Sequence, residues 1–205
     1  MTSSFQRQPL VLPGNHRRIL LHSCCAPCSS EIIEALHASD LDVTVFFYNP
    51  NIYPIQEYER RKMENLRFAQ KLGIPFVDAD YDCETWFAHI QGLELEPERG
   101  SRCSKCFNLR LERTALYACE HGFPVFATSL GISRWKNLGQ VNQCGIQAAS
   151  RHHGLIYWDR DWRKGGGADR LVEIRKREGF YQQAYCGCPY SCHGEGKECQ
   201  RSAGE

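Results

Sequence analysis

Apolar and polar positions along the chain alternate between short apolar runs and longer amphipathic stretches. Arg18-Ile-Leu-Leu-His-Ser23 is an apolar run of strand length, and Val43-Thr-Val-Phe-Phe-Tyr48 is a second. Between them, Ser29 or Ser30 is placed to cap a helix whose apolar positions are Ile32, Ile33 and Leu36. Pro54 and Gly73 bracket an amphipathic helix with Tyr58, Met63, Leu66, Ala69 and Leu72 on its apolar face. Pro75-Phe-Val77 reads as a third, weaker strand, and Asp82 as the cap of a helix carrying Trp86, Phe87 and Ile90. The acidic, proline-containing stretch from Gly92 to Gly100 reads as a loop. A helix is predicted from Cys106 to His121, a fourth strand over Val125-Phe-Ala-Thr128, a helix from Asn137 to Arg151 and a fifth strand over Leu155-Ile-Tyr157. A basic helix from Ala168 to Glu178 completes the series.

Strands separated by helical segments of this length pair in parallel, because a right-handed crossover through a helix is how parallel neighbours are joined. The pattern therefore predicts an α/β fold, a layered and mostly parallel sheet flanked by helices. It forms one domain over residues 18–192, between a loose polar tail at 1–17 and a Cys-rich C-terminal tail at 193–205. In such sheets ligands bind outside the carboxyl ends of the strands. The group Cys24-Cys25, with Cys28 close behind, follows the first strand directly.

Composition narrows the class. Hydrophobic residues are 42% and charged residues 24%, as in ordinary globular chains. No apolar run approaches the ~20 residues of a membrane-spanning helix, and Met1 to His16 lack the apolar stretch of an export signal. The expectation is a cytoplasmic protein with no membrane partner. A net charge of +1 gives no general attraction to nucleic acid, so any such binding needs a local patch.

The twelve cysteines change the picture. In a reducing compartment, clustered cysteines are metal ligands or redox catalysts more often than disulfides. Eight of them form four groups: Cys24-Cys25, Cys103 with Cys106, Cys186 with Cys188, and Cys192 with Cys199. Cys83, Cys119 and Cys144 stand alone and read as small buried residues. The two-residue spacing of Cys103-Ser-Lys-Cys106 lets both sulfurs face one metal centre, as in zinc ribbons and iron–sulfur sites. Adjacent thiolates strain a single tetrahedral zinc site, whereas an iron–sulfur cluster offers several irons. Pro27 sets a turn that could hold both sulfurs of Cys24-Cys25 toward a pocket. Cys186-Gly-Cys188 has two readings: a strained, readily reduced disulfide, or zinc ligands shared with Cys192, His193 or Cys199.

A basic stretch runs from Arg160 through Arg163, Lys164 and Arg170 to Lys176, beside Tyr157, Trp158 and Trp162. Cations on phosphates and aromatics under splayed bases suit single-stranded or loop RNA, and a solvated helix face is the plain alternative. Arg60-Arg-Lys62 reads as surface. The loop Ser23-Cys-Cys-Ala-Pro-Cys-Ser-Ser30 contains no glycine and so cannot cradle a phosphate in the usual way, and Gly165-Gly-Gly167 lacks the lysine of a nucleotide-binding loop. Nucleotide hydrolysis is disfavoured.

Five motifs in order, Leu21-His-Ser-Cys-Cys-Ala-Pro-Cys-Ser-Ser30, Phe47-Tyr-Asn-Pro-Asn-Ile52, Arg102-Cys-Ser-Lys-Cys-Phe107, Asp161-Trp-Arg-Lys164 and Tyr185-Cys-Gly-Cys188, span about residues 18–192. Together they resemble the QueH family of epoxyqueuosine reductases. The resemblance implies reduction of epoxyqueuosine to queuosine at the wobble base of tRNA, the last step of queuosine biosynthesis. It implies a fold akin to nucleotide-binding folds of HUP or Rossmann-like type. It also implies a 4Fe–4S cluster on Cys24, Cys25, Cys103 and Cys106 and a redox-active disulfide pair at Cys186 and Cys188. An additional mononuclear iron near the position of Cys28 belongs to the same expectation. It raises the RNA reading of Arg163, Lys164 and Arg170, and an external electron donor completes the partners. Removing an epoxide oxygen as water takes two electrons and two protons; His22, Asp80 and Tyr185 are the candidate proton donors. An ATP-dependent tRNA-thiolation type of enzyme and a zinc-stabilised RNA-binding module stand as alternatives.

Overall fold

A computed structural model describes residues 7–191. Five strands form one sheet: β1 (Arg18–His22), β2 (Asp42–Phe47), β3 (Phe76–Asp78), β4 (Val125–Thr128) and β5 (Ile156–Tyr157). Their order is β3-β2-β1-β4-β5 and every pairing is parallel. Residues on both faces of β1, β2 and β4 are buried, which is why these strands read as continuous apolar runs rather than alternating ones.

Six helices connect them among the described residues: α1 (Ala26–His37), α2 (Ile55–Lys71), α3 (Cys83–His89), α4 (Ser101–Glu120), α5 (Leu138–Ala149) and α6 (Gly167–Glu178). α1 packs with α2 and α6, and α4 with α3 and α5. The crossovers through α1 and α2 step one way from β1, and the crossover through α5 steps the other way. Right-handed connections therefore carry the two helix groups to opposite faces.

Three predicted boundaries move. α1 begins at Ala26 instead of being capped by Ser29 or Ser30, because Pro27, which needs no N–H partner in a first turn, lets the helix start directly after Cys25. Ser29 then lies inside the helix and donates back to the Cys25 carbonyl at 3.0 Å. α4 begins at Ser101, one turn ahead of Cys106. Arg102 closes its start by donating to the carbonyls of Leu93, Glu94 and Glu96, so both Cys103 and Cys106 are helical. The buried face of α2 is Tyr58, Arg61, Asn65, Phe68 and Ala69, while Met63 is 56% exposed. Asp82 and Asn137 cap α3 and α5, accepting from the N–H groups of Thr85 and Gln140. The segment before β1, expected as a loose tail, is tied down from Arg7 onward: Leu12 is buried, and Arg7 bridges Glu31 and Glu34.

Candidate metal and redox site

The strand order reverses between β1 and β4, because the chain leaves β1 toward β2 and leaves β4 toward β5. Crossovers that part in opposite directions leave a crevice at the carboxyl ends of that strand pair. Cys24 and Ser129 sit side by side at this point. The Cys24 N–H donates to Ser129 Oγ at 3.0 Å, and the Ser129 hydroxyl donates to Cys24 Sγ at 3.3 Å.

Cys25 is the residue before the first turn of α1 and Cys28 lies three residues on, so both sulfurs fall at the helix N-terminus. Cys24 Sγ and Cys25 Sγ are 3.8 Å apart, and with Cys28 the three buried thiols lie within 4.8 Å of one another. The helix dipole favours anionic sulfur there. Hydrogen bonds from Cys25 and Cys28 hold the Cys24 thiol well below its ordinary value. The same contacts push Cys25 up, and Cys28 up to about 12. Three thiols so placed could hold a metal ion or part of a cluster.

Cys103 and Cys106 occupy the first turns of α4 and, three residues apart, share one side of it. They line a cavity that opens to solvent, together with Cys186 and Cys188. The Arg99 N–H donates to Cys103 Sγ at 3.2 Å. Burial pushes both thiols up, and Trp86 and Arg110 lie against Cys106.

Cys186 and Cys188 stand on the segment after α6, which crosses the site as a strap. Gln183 on this strap donates to Cys25 Sγ at 2.8 Å. Gly187 has a φ of 108°, and a Cβ there would meet the Ile52 side chain at 2.8 Å, so only glycine fits between the two cysteines. Its carbonyl accepts from the Tyr53 N–H at 3.0 Å. Arg61, buried on α2 and paired with Glu57, donates to the carbonyls of Cys186 at 3.1 Å and Tyr185 at 3.2 Å. Both cysteines are free thiols. Hydrogen bonding from Cys188, then the charge of Lys136 and the Ser191 hydroxyl 3.0 Å away, hold Cys186 well below its ordinary value; Cys188 is pushed up by the same pairing. Burial opposes the charge of Lys136, but Cys24, Cys186 and Cys28 together favour it more strongly. Arg110 acts on both Cys24 and Cys106. Lys136 thus links the 24–28 group to Cys186, and Arg110 links Cys24 to Cys106.

A family model described as "Epoxyqueuosine reductase QueH" matches residues 19–194. This chain belongs to the QueH family. The protein named epoxyqueuosine reductase QueH of Histophilus somni is 60% identical over 187 residues, covering 91% of this chain and 77% of that protein. The one from Haemophilus influenzae is 58% identical over 193 residues, covering 94% and 79%. A more distant QueH protein, from Thermotoga maritima, is 33% identical over 176 residues, covering 84% and 89%.

The residues of this QueH chain fit an iron–sulfur group by the chemistry of the donor set. All its candidate ligands are soft thiols, which select such clusters, and two groups stand at helix N-termini. Among the described residues, Trp86 Nε1 and Arg110 Nε are buried beside Cys106 without a close hydrogen-bond partner, donors of the kind that tune cluster sulfurs. Cys192, Cys199 and His193 lie outside the described residues. Of the lone cysteines, Cys144 is buried as expected, whereas Cys83 is half-buried and Cys119 exposed.

Arg61, Arg110 and Lys136 are the site residues that sequence reasoning missed. Arg60-Arg-Lys62, read as surface, divides: Arg60 stacks on Tyr181 while Arg61 is 2% exposed under the strap. The signal was present in the helical spacing Tyr58, Arg61, Asn65, Phe68, which puts Arg61 on the buried face. The basic stretch divides as well. Arg170 Nε donates to Glu31 at 2.6 Å, Arg175 to the Pro27 carbonyl, and Arg177 to Glu34; these residues fasten α6 to α1. Arg163 is bonded to Asp161, and Lys164 and Arg160 are exposed on the loop after β5, at the same sheet edge as the cysteines. Of the candidate proton donors, His22 is held neutral by burial, its pKa lowered to about 3, between Thr128 and the Tyr48 carbonyl. Asp80 is exposed, and the Tyr185 hydroxyl donates to the Tyr53 carbonyl at 2.5 Å. No helix of the described residues is long and apolar enough to cross a membrane.

Proposed function

We propose that this chain reduces the epoxide of epoxyqueuosine in tRNA to the alkene of queuosine, the last step of queuosine biosynthesis. A 4Fe–4S cluster would be held by Cys24, Cys25, Cys103 and Cys106, next to a redox-active pair at Cys186 and Cys188. The observation that carries the reading is a shared cavity lined by Cys103, Cys106, Cys186 and Cys188, with Lys136 and Arg110 of its lining acting on Cys24. The strand order also supports kinship with nucleotide-binding folds of HUP or Rossmann-like type.

The balance of the reaction suits a dithiol. An epoxide and two thiols give an alkene, one water and a disulfide: two electrons and two protons leave the sulfurs, and the oxygen leaves as water. An external electron donor then restores the thiols. The cluster, when bound, supplies single-electron transfer and Lewis acidity toward oxygen. The protein supplies the rest. Arg61 and Tyr53 fix the backbone of the Cys186–Cys188 turn, and Ser191 and Lys136 favour the anionic form of Cys186, the better nucleophile and electron donor. Cys28 completes a buried thiol triad with Cys24 and Cys25 and is the candidate ligand for an additional mononuclear iron.

Anaerobically prepared protein is expected to absorb broadly in the visible. In a Cys188→Ser variant that spectrum should persist while multiple turnover is lost, and alkylation with mass analysis should find a Cys186–Cys188 bridge only after oxidation of the parent. A colourless, zinc-loaded protein whose zinc leaves with Cys188 would overturn the reading. On the RNA side, Arg163→Ala/Lys164→Ala is expected to weaken tRNA binding and lower the salt slope by about one unit, the share of one exposed phosphate contact. Arg170 is expected to act through Glu31 on stability instead.

A further inference from the structure

The rim of the cysteine-lined cavity carries an exposed tryptophan. Trp135 lines the cavity with Cys103, Cys106 and Cys186, yet it is 64% exposed, the most open of the four tryptophans. A large aromatic on a loop with that much of its surface in water is not serving the core. Its loop is nevertheless fixed. Arg99 donates to the Trp135 carbonyl at 3.0 Å and to the Arg134 carbonyl at 3.3 Å, and the Arg99 N–H donates to Cys103 Sγ. The start of α4 that holds the cysteines thus also holds the tryptophan. The Arg134 guanidinium lies over the indole, 4.7 Å from its centroid. A preset indole backed by cations is the arrangement on which proteins stack unpaired bases of RNA.

We infer that Trp135 is the stacking platform for the modified base, taken out of its loop in the tRNA, and that Arg134 steadies the adjoining phosphate. The inference rests on the tRNA reading above and adds where the base is held. A base on Trp135 lies at the mouth of the cavity, so that the epoxide-bearing substituent extends inward to the cysteines. The same sheet edge carries exposed Arg160 and Lys164 on the loop after β5, which Asn142 of α5 joins through the Asp159 carbonyl, giving the RNA backbone further cations beyond Trp135. Extrusion is needed because a base enclosed in a loop or stack cannot bring its substituent into a buried cavity.

The test compares the parent with Trp135→Ala and Trp135→Phe, with iron content and the visible spectrum measured on each. Trp135→Ala is expected to raise KM for tRNA carrying epoxyqueuosine by about tenfold, the effect of losing one stacked base, with kcat within about twofold. Trp135→Phe should recover most of that loss. Equilibrium binding of an anticodon stem–loop, measured without turnover, should weaken by the same factor. An unchanged stem–loop affinity overturns the inference whether or not the protein turns over. A KM for tRNA that stays put while saturation by the reducing partner shifts would mark the rim as a protein-docking surface and overturn it too. A parent that binds the stem–loop through Trp135 but never reduces epoxyqueuosine would leave the platform standing and sink the activity beneath it.

Discussion

Replacing Cys103 by alanine is expected to give a folded, pale protein with little iron and no reductase activity. Cys103 sits in the first turn of α4, where alanine is the best helix former, and it is only half-buried, so the helix should survive. What is lost is a sulfur at the positive end of the helix, in the cavity shared with Cys106, Cys186 and Cys188. The loss of activity should exceed the ~10–100-fold typical of an outer-shell partner. Iron content, visible absorbance and thermal melting, all measured anaerobically, check this. Cys24, Cys25 and Cys106 should behave alike. Full iron occupancy in Cys103→Ala, with iron lost only from Cys24, Cys25 or Cys28 variants, would reassign the metal to the thiol triad alone.

Arg61→Met should be the most destabilising substitution outside the sheet. It removes the cation paired with Glu57, which is 11% exposed and keeps the Tyr181 hydroxyl, and leaves the carbonyls of Tyr185 and Cys186 without their Arg61 donor. Breaking a buried pair from one side costs about 3–5 kcal/mol. In a protein of this size that is on the order of 10 °C in Tm. The strap should loosen at the same time, so alkylation of Cys186 should become faster than in the parent. Arg61→Lys should restore little, since a single ammonium cannot serve a carboxylate and two carbonyls in one plane. A melting curve and alkylation rate matching the parent would show that the strap is held by other contacts.

The sheet was legible because β1, β2 and β4 are buried on both faces, and their apolar runs admit no other reading. The helix faces nearest the site were not. On α2 the expected apolar face included Met63, but the buried face turns toward Arg61 and Asn65, whose partners are the strap carbonyls and Ser23. On α4, Leu116 is 41% exposed while Arg102 and Arg110 are buried. A pattern reading assigns buried positions to apolar residues, so it fails where the buried surface is the site and its lining is charged. The cysteines themselves were legible from spacing. That Lys136 ties the 24–28 group to Cys186 and Arg110 ties Cys24 to Cys106 was not, since those cations carry no motif. The basic helix misled for the opposite reason: its charge count is real, but Glu31 and Glu34 of α1, more than a hundred residues away in the chain, absorb Arg170 and Arg177.

The strap also has a place in time. All five strands, and the cysteines at 24, 25, 28, 103 and 106, precede α6 in the chain, whereas Cys186, Gly187 and Cys188 follow it. During synthesis the sheet and both thiol-bearing helix starts can emerge from the ribosome while the segment carrying Cys186 and Cys188 has yet to emerge. The thiols at 24–28 and 103–106 are then still uncovered on the side the strap will cross. Once Gln183 settles on Cys25 and the Gly187 carbonyl meets the Tyr53 N–H, that side narrows. The order of translation thereby becomes an order of assembly, with the two helix-borne thiol groups in place before the third arrives to cover them.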